Sequence, residues 1–147
     1  MRAVKQIYNS KATVTDHEMT VMVEYNNTKF YGQSSCHPDD LDFYSEKVGY
    51  NIAYKRAIIA CLEFQTYTAE TEWKYLKTVY SNVMMNHENS PEAIDPTGRM
   101  KAALYRAEKH YHQFKKARDM ARKDLKNYLE AQARVVDSLR RQRAKND

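Results

Sequence analysis

The sequence is poor in the residues that break helices and in those that crosslink chains. It has three glycines, three prolines and two cysteines among 147 residues, so a glycine-rich loop that cradles phosphate cannot be built. No apolar run approaches the roughly 18 residues of a membrane helix, and residues 1–10 lack the apolar stretch of a signal peptide. We therefore expect a soluble protein of the cytoplasm, with Cys36 and Cys61 as reduced thiols.

The charge is unevenly distributed along the chain. Residues 99–147 contain 15 Lys and Arg against 6 Asp and Glu, and the first 98 residues contain 9 basic and 13 acidic side chains. The two parts thus carry net charges of +9 and −4. Opposite charges favour association within or between chains, and the basic part can also attract phosphates.

The first 36 residues predict an antiparallel β-meander. In residues 19–25, Val21, Val23 and Tyr25 alternate with other side chains and so share one face of a strand. The pair Asn26-Asn27 tolerates positive φ and predicts a type I′ hairpin turn, after which residues 28–34 pair back. An earlier strand, at residues 3–8 or 11–15, gives a sheet of three or four strands.

Two long helices are predicted to follow the sheet. The first spans residues 38–86, with Pro38 and clustered Asp at its start and weak helix formers at 66–71 that favour a bend. A polar loop at 87–97 separates it from a second helix at 98–145. We expect a single α+β domain, with a three- to four-stranded antiparallel β-meander and two long α-helices that form a hairpin or a coiled-coil-like seam.

The second helix has the strongest periodic pattern in the sequence. Apolar residues recur in alternating steps of four and three, interrupted at Arg118 and Gln132, and this heptad pattern predicts a helical seam. The seam can pack on the first helix or on a second copy of the chain, so we expect a homo-oligomer, a dimer or higher. The seam residues are Met100, Leu104, Ala107, Tyr111, Phe114, Ala121, Leu125, Tyr128, Val135 and Leu139.

No catalytic motif is present, and we predict that the protein is not an enzyme and uses no cofactor. Cys36 and His37 are sequence neighbours, whereas a nucleophile and its base must face each other. His37 and the nearby Asp39, Asp40 and Asp42 could bind a metal ion, but helix capping and the helix dipole explain them better. We therefore predict no catalytic residue and no metal site.

Aromatic residues next to cations are the most unusual feature of the sequence. The chain has 12 Tyr, 4 Phe and 1 Trp, and many adjoin Lys or Arg. Aromatic rings stack on bases while guanidinium groups bind phosphates, so this mixture favours nucleotide or nucleic-acid binding. The alternative is that the rings fill the half-buried rim between sheet and helices. The candidate ligand-binding residues are Phe30, Tyr31, Arg56, Tyr105 and Arg106.

The start of the second long helix is a further candidate site. Asp95 and Thr97 are placed to cap this helix, whose first N–H groups could hold a phosphate. A cation there opposes the helix dipole, so capping does not explain Arg99. We therefore add Thr97 and Arg99 to the candidate ligand-binding residues, with Arg99 as the preferred one.

One segment resembles a known family. The run Ser35-Cys-His-Pro-Asp-Asp-Leu-Asp-Phe43, followed by Gly49, Ile52-Ala53 and Arg56-Ala57, is similar to a strand–turn–helix pattern of the bacteriophage Thoeris anti-defence nucleotide sponges. The resemblance covers about a quarter of the chain. It implies a β-sheet with helices, assembly into oligomers, and sequestration of a cyclic ADP-ribose isomer without cleavage.

Three functional hypotheses follow. The first is a phage protein that sequesters a cyclic nucleotide immune signal in the host cytoplasm. The second is a basic nucleic-acid-binding protein or an anti-CRISPR-type inhibitor, for which the basic run at residues 134–145 and a pI near 9.1 argue. The third is a helical assembly component that uses the seam alone.

Overall fold

The computed structural model describes residues 9–15, 18–36, 45–85 and 91–146. Three strands come first, β1 (Asn9–Thr15), β2 (Glu18–Tyr25) and β3 (Thr28–Ser35), and three helices follow, α1 (Glu46–Met85), α2 (Pro91–Ile94) and α3 (Arg99–Asn146). The strands pair antiparallel in the order β1-β2-β3. The predicted α+β class, a β-meander followed by two long helices, is confirmed.

The strands agree closely with the sequence prediction. β1 corresponds to the predicted strand at residues 11–15, whereas the alternative at 3–8 lies outside the described residues, as do positions 16 and 17 of the first turn. Asn26 and Asn27 have φ values of 48° and 61°. Positive φ at both central residues is the mark of a type I′ turn, so the predicted hairpin is confirmed.

The helices differ from their prediction in detail. The predicted start of the first helix, at residue 38, lies outside the described residues, and α1 is described from Glu46. It runs without a break through 66–71, where the Thr66 hydroxyl donates to the carbonyl of Leu62 at 2.7 Å and so stays bonded inside the helix. The predicted loop at 87–97 contains the single helical turn α2.

The described residues divide into two compact units, which we describe separately. The first unit joins the chain up to Cys61 to the chain from Met120 onward, and the second is Leu62–Asp119. The first unit therefore contains the sheet, the first part of α1 and the last part of α3. The second contains the remaining parts of both long helices together with α2.

The core of the first unit is formed by β2 and α1. Met19, Val21 and Val23 alternate along β2 and are at most 3% exposed, as the period of two requires for a face that packs on a helix. Small side chains four residues apart on α1, at Ala53, Ala57 and Cys61, complete this cluster. Spacing of four residues places them on one helix face. Partly buried rings and one aliphatic side chain surround the cluster: Tyr25, Phe30, Tyr50, Tyr54 and Ile58.

β3 approaches α1 most closely at Gly32. A Cβ atom at this position would collide with the carbonyl oxygen of Ala53 and with the amide nitrogen of Ala57. Two residues farther along the strand, the buried Ser34 hydroxyl donates to the carbonyl of Gly49 at 2.7 Å. The backbones of β3 and α1 therefore lie nearly in contact, which requires glycine in the strand and small residues in the helix.

α3 adds polar contacts to the first unit. The Asn51 side-chain amide donates to the Tyr128 hydroxyl at 3.1 Å, and the Lys55 ammonium donates to Asp124 at 2.5 Å. As the residue numbers rise along α1, those of their partners on α3 fall. The two helices therefore run antiparallel in this unit.

The second unit is held by helix contacts with a partly polar core. Trp73 of α1 stacks on Tyr111 of α3, with ring centroids 5.4 Å apart. Ala69 and Ala107 are buried, but so are Gln65 and Thr66. The Gln65 amide atoms have no hydrogen-bond partner among the described residues. Burial of such a group opposes folding, so this unit has a less favourable core than the first.

The seam predicted on α3 is buried along most of its length. Its residues from Met100 to Tyr128 are buried or half-buried, and so is Arg118, one of the two polar interruptions. The last two positions differ, since Val135 is 51% exposed and Leu139 is 40% exposed. The seam therefore packs within each unit, and its end remains open to solvent.

We expect Gly32→Ala to destabilise the first unit strongly. The added methyl group meets helix backbone, which cannot rotate away as a side chain can, so the expected loss of unfolding free energy is at least about 2 kcal/mol. Urea denaturation followed by circular dichroism would measure it. The control is Gln33→Ala, at the neighbouring exposed position. Equal stability of the two variants would contradict the close approach.

Candidate functional site

The seven predicted ligand-binding residues fall into two groups, one in each unit. Thr97, Arg99, Tyr105 and Arg106 belong to the second unit, whereas Phe30, Tyr31 and Arg56 belong to the first. Each group is therefore considered within its own unit.

The start of α3 is capped by Asp95. Its carboxylate accepts a hydrogen bond from the Lys101 amide at 3.3 Å, and its carbonyl accepts one from Gly98 at 3.0 Å, with Gly98 at φ 67°. The recorded side-chain cap is thus Asp95 and not Thr97. Thr97 and Arg99 are both exposed. Because a carboxylate already occupies this helix start, it is less favourable for a phosphate than the sequence indicated.

Arg106 lines a groove between α1 and α3 of the second unit, which we call the Arg106 groove. Its volume is about 500 Å³. Ala103 and Ala107 contribute small side chains, and Glu72 and Leu76 line it from α1. The remaining lining residues are hydrogen-bonding side chains of α3, namely Arg106, Lys109, His110 and Gln113.

The helical repeat explains why these four side chains meet. Positions 109 and 110 lie three and four residues after position 106, and position 113 lies a further turn along, so these side chains project from one side of the helix. Among the described residues Arg106 and Lys109 form no ion pair, and the same is true of Lys115 and Lys116 on this helix. Arg118 contacts Asp119 at 3.1 Å. The groove thus offers two cations, two further polar side chains and the carboxylate of Glu72, so its described lining carries a net charge of about +1 with histidine neutral.

A second ion pair in this unit involves Glu70 and Lys74. The hydrogen bond from Lys74, at 2.7 Å, lowers the pKa of the Glu70 carboxyl, and the same bond raises the pKa of Lys74. Lys115 and Arg118 also help to lower the pKa of Glu70. The charge of Lys74 is therefore paired with the Glu70 carboxylate. For this reason we do not count Lys74 among the groups that could bind an anion.

The aromatic residues of the second unit are partly engaged and partly exposed. Trp73 stacks on Tyr111, and Lys77 lies 5.4 Å from the Trp73 ring centroid. By contrast, Tyr75 is 67% exposed and Tyr105 is 65% exposed. The sequence pattern could not distinguish packed rings from exposed rings, since Trp73 and Tyr105 both adjoin cations in the sequence. Tyr105 remains a ring that a base could stack on.

The three predicted residues of the first unit do not share one surface. Phe30 packs against the core, whereas Tyr31 is 59% exposed, because neighbouring residues of a strand point to opposite faces. Arg56 donates through its guanidinium to the carbonyl of Gln33 at 2.7 Å. This bond satisfies a backbone group of β3, a strand at the edge of the sheet.

A cavity that the sequence did not indicate lies in the first unit. It has a volume of about 490 Å³ and is lined by the end of β3, the start of α1 and residues 132–140 of α3. We call it the strand-end cavity. Its apolar lining includes Val135 and Leu139, the exposed end of the predicted seam. Several sequence patterns overlap this region, namely the seam, the basic run at 134–145 and the segment that carries the family resemblance, but none of them indicated a cavity.

Several predictions about reactive groups fall outside the described residues. His37, Asp39, Asp40 and Asp42 are among them. Within the described ranges, Cys36 and Cys61 form no disulfide, and no three His, Cys, Asp or Glu side chains converge as a metal site would require. No described helix combines the length and the apolarity that crossing a bilayer demands.

We expect Arg56→Gln to reduce stability without removing a ligand contact. Loss of the bond to the Gln33 carbonyl should lower the unfolding free energy by about 0.5–1.5 kcal/mol. Lys47→Gln, an exposed change on the same helix, is the control, and chemical denaturation is the measurement. If Arg56→Gln left stability unchanged but weakened nucleotide binding, Arg56 would be a ligand residue instead.

Comparison with known proteins identifies no relative of this chain. No protein-family model matches the chain, no curated protein resembles it significantly, and no solved structure is significantly similar to it.

Proposed function

We propose that the protein is a non-catalytic binder of a phosphate-bearing nucleotide. The observation that carries the proposal is the Arg106 groove. Arg106 and Lys109 line it together with His110 and Gln113. A guanidinium forms paired hydrogen bonds with phosphate oxygens, and an ammonium adds a point charge.

The size and surroundings of the groove also support a nucleotide. About 500 Å³ lies within the range of 300–1,000 Å³ typical of small-molecule sites. The small side chains of Ala103 and Ala107 leave room for a ligand between the helices. Tyr105 precedes Arg106 in the sequence and exposes its ring, but consecutive helix residues do not face each other, and Tyr105 does not line the groove.

Binding without cleavage is the form of activity that we propose. None of the described residues lining the Arg106 groove has a hydroxyl or thiol group, so a covalent intermediate on Ser, Thr, Tyr or Cys is not available among them. Glu72 and His110 both line the groove, but Arg106 and Lys109 beside them suit the holding of an anion. We therefore propose sequestration as the function.

The resemblance of residues 35–57 to the Thoeris anti-defence sponges makes the ligand more specific. It supports a cyclic ADP-ribose isomer, or a related cyclic nucleotide, as the first ligand to test. On this proposal the protein is made by a phage, acts in the host cytoplasm and binds the immune signal as a homo-oligomer. The exposed seam end at Val135 and Leu139 supports self-association.

Nucleic-acid binding is a second candidate, which a different observation favours. The last part of α3 exposes Arg134, Arg140, Arg141, Arg143 and Lys145. Asp137 lies 3.8 Å from Arg140 and is the one acidic residue between positions 131 and 146. An exposed basic helix of this kind fits the phosphate backbone of DNA or RNA.

We expect Arg106→Gln to weaken nucleotide binding by roughly 10- to 150-fold, the equivalent of one charge-assisted hydrogen bond. Isothermal titration calorimetry with cyclic ADP-ribose isomers and cyclic dinucleotides is the measurement. Lys116→Gln is the matched control, since it removes the same charge from an exposed position of α3 outside the groove. No binding to any member of this panel would reject the proposal.

Arg99→Ala distinguishes the helix start from the groove. Asp95 caps that helix start, so we expect Arg99→Ala to weaken binding less than Arg106→Gln does. The reverse order of effects would move the phosphate site to the start of α3.

For the second candidate, we expect the variant with Arg134→Gln and Arg141→Gln to bind DNA more weakly. The slope of log affinity against log salt should fall by about 1.8, since each phosphate contact contributes about 0.9. Mobility-shift assays at four salt concentrations would measure it, with Lys109→Gln and Lys116→Gln together as the control for charge. An unchanged slope in the first variant would exclude the basic end of α3.

A further inference from the structure

We infer that two copies of the chain associate by pairing the outer edges of their β1 strands. β1 is one edge of the sheet and β3 is the other. An edge strand exposes backbone donors and acceptors that a second strand can bind. The inference deepens the self-association proposed above, because it names a contact other than the seam end. It involves neither the Arg106 groove nor a ligand.

The hairpin turn determines which strand residues bond to which neighbour. Its two central residues lie between Tyr25 and Thr28, which are paired across β2 and β3, and the pair that flanks a two-residue turn is hydrogen-bonded. Bonded and non-bonded pairs alternate along an antiparallel ladder. Residues of β2 with odd numbers therefore bond to β3, and residues with even numbers bond to β1.

Arg56 supports this assignment. Gln33 is paired with Thr20, an even-numbered residue of β2, so the carbonyl of Gln33 should face outward from the sheet. The Arg56 guanidinium donates to this carbonyl at 2.7 Å. The outward direction derived from the register thus agrees with an observed contact.

The same alternation identifies the backbone groups at the free edge of β1. Even-numbered residues of β2 are paired with odd-numbered residues of β1, as Met22 is with Lys11. The residues between them, Ser10, Ala12 and Val14, therefore direct their N–H and C=O groups away from the sheet. Within the described parts of the chain, no group from outside the sheet bonds to these backbone atoms.

The two edges of the sheet are protected to different extents. On β3, Arg56 bonds the outward carbonyl of Gln33. β1 has neither a proline nor a bulge, and Lys11 is its single charge, so it has few of the features that prevent strand addition. Pairing of β1 with β3 of the next copy would continue from copy to copy, whereas pairing of β1 with β1 closes after two copies. The contact of Arg56 on β3 therefore favours the closed dimer.

An antiparallel pair of β1 strands is complementary to itself. When Ala12 lies opposite Ala12 of the second copy, Ser10 lies opposite Val14, so each outward N–H meets an outward C=O. Lys11 then lies opposite Thr13, so no like charges meet. Val14, which is 49% exposed, gains a neighbouring strand. Backbone hydrogen bonds supply the affinity in strand addition of this kind.

Light scattering and analytical ultracentrifugation of the full chain measure the association. We expect a dimer with a dissociation constant at or below about 0.1 mM, since an interface made by one strand pair is small. Thr13→Lys sets a cation opposite Lys11 at two symmetric positions and should raise this constant by about 2- to 30-fold. Lys11→Glu together with Thr13→Lys should restore association, because opposite charges then face each other. Thr28→Lys is the control, since it adds the same charge at an exposed position outside β1.

Amide exchange gives a second measurement, which does not depend on side chains. The N–H of Ala12 faces outward, so its exchange should slow as the protein concentration rises. The N–H of Thr13 bonds to β2 and should be protected at every concentration. Ala12→Pro removes the outward donor but keeps the bonds between β1 and β2. It should raise the dissociation constant by about 5- to 150-fold, because two symmetric hydrogen bonds are lost.

Three results would overturn the inference. The first is a chain that stays monomeric at roughly 1 mM. The second is slow exchange of the Ala12 amide in monomeric protein, which would mean that another part of the same chain covers the edge. The third is an oligomer that Thr13→Lys and Ala12→Pro leave intact. If Val135→Asp dissociates that oligomer, the exposed seam end forms the contact, and the proposed self-association stands without this edge.

Discussion

The close approach of β3 to α1 at Gly32 determines the geometry of the first unit. A glycine in the strand faces Ala53 and Ala57 in the helix, so that backbone meets backbone. Two other contacts depend on this distance, namely the Ser34 hydroxyl on the Gly49 carbonyl and Arg56 on the Gln33 carbonyl. The strand-end cavity lies where β3 ends and α1 begins, so its position follows from the same contact.

α3 contributes to both cavities, and side-chain size is the reason that they exist. Large seam residues such as Tyr111 and Tyr128 contact α1, whereas small side chains elsewhere on α3 leave space. Ala103 and Ala107 line the Arg106 groove, and Ala133 lines the strand-end cavity. The two cavities differ in charge. Arg106 and Lys109 have no recorded ion pair among the described residues, whereas Asp137 and Arg140 pair with each other.

Local sequence rules predicted most of the fold but not the residues of its main interface. They identified the Asn26-Asn27 turn, the strand pairing and the two long helices, because these depend on φ preferences and on residue periodicity. The spacing of large apolar residues does not indicate a core role for Ala53, Ala57 and Cys61, which are small. Their packing against the sheet depends on the strands that lie opposite them, which the helix sequence does not specify. Likewise, the sequence placed Thr97 to cap α3, whereas the described side-chain cap is Asp95.

By itself the sequence determined the α+β class, the heptad seam of α3 and the excess of cations near the end of the chain. These are properties of composition and of short-range spacing. Only the tertiary structure decided which side chains meet and which are already engaged. Arg56 and Arg106 are the same residue type on helices, yet one bonds a strand carbonyl and the other lines a groove. The difference depends on what lies opposite each helix face, and no pattern along a single helix contains that information.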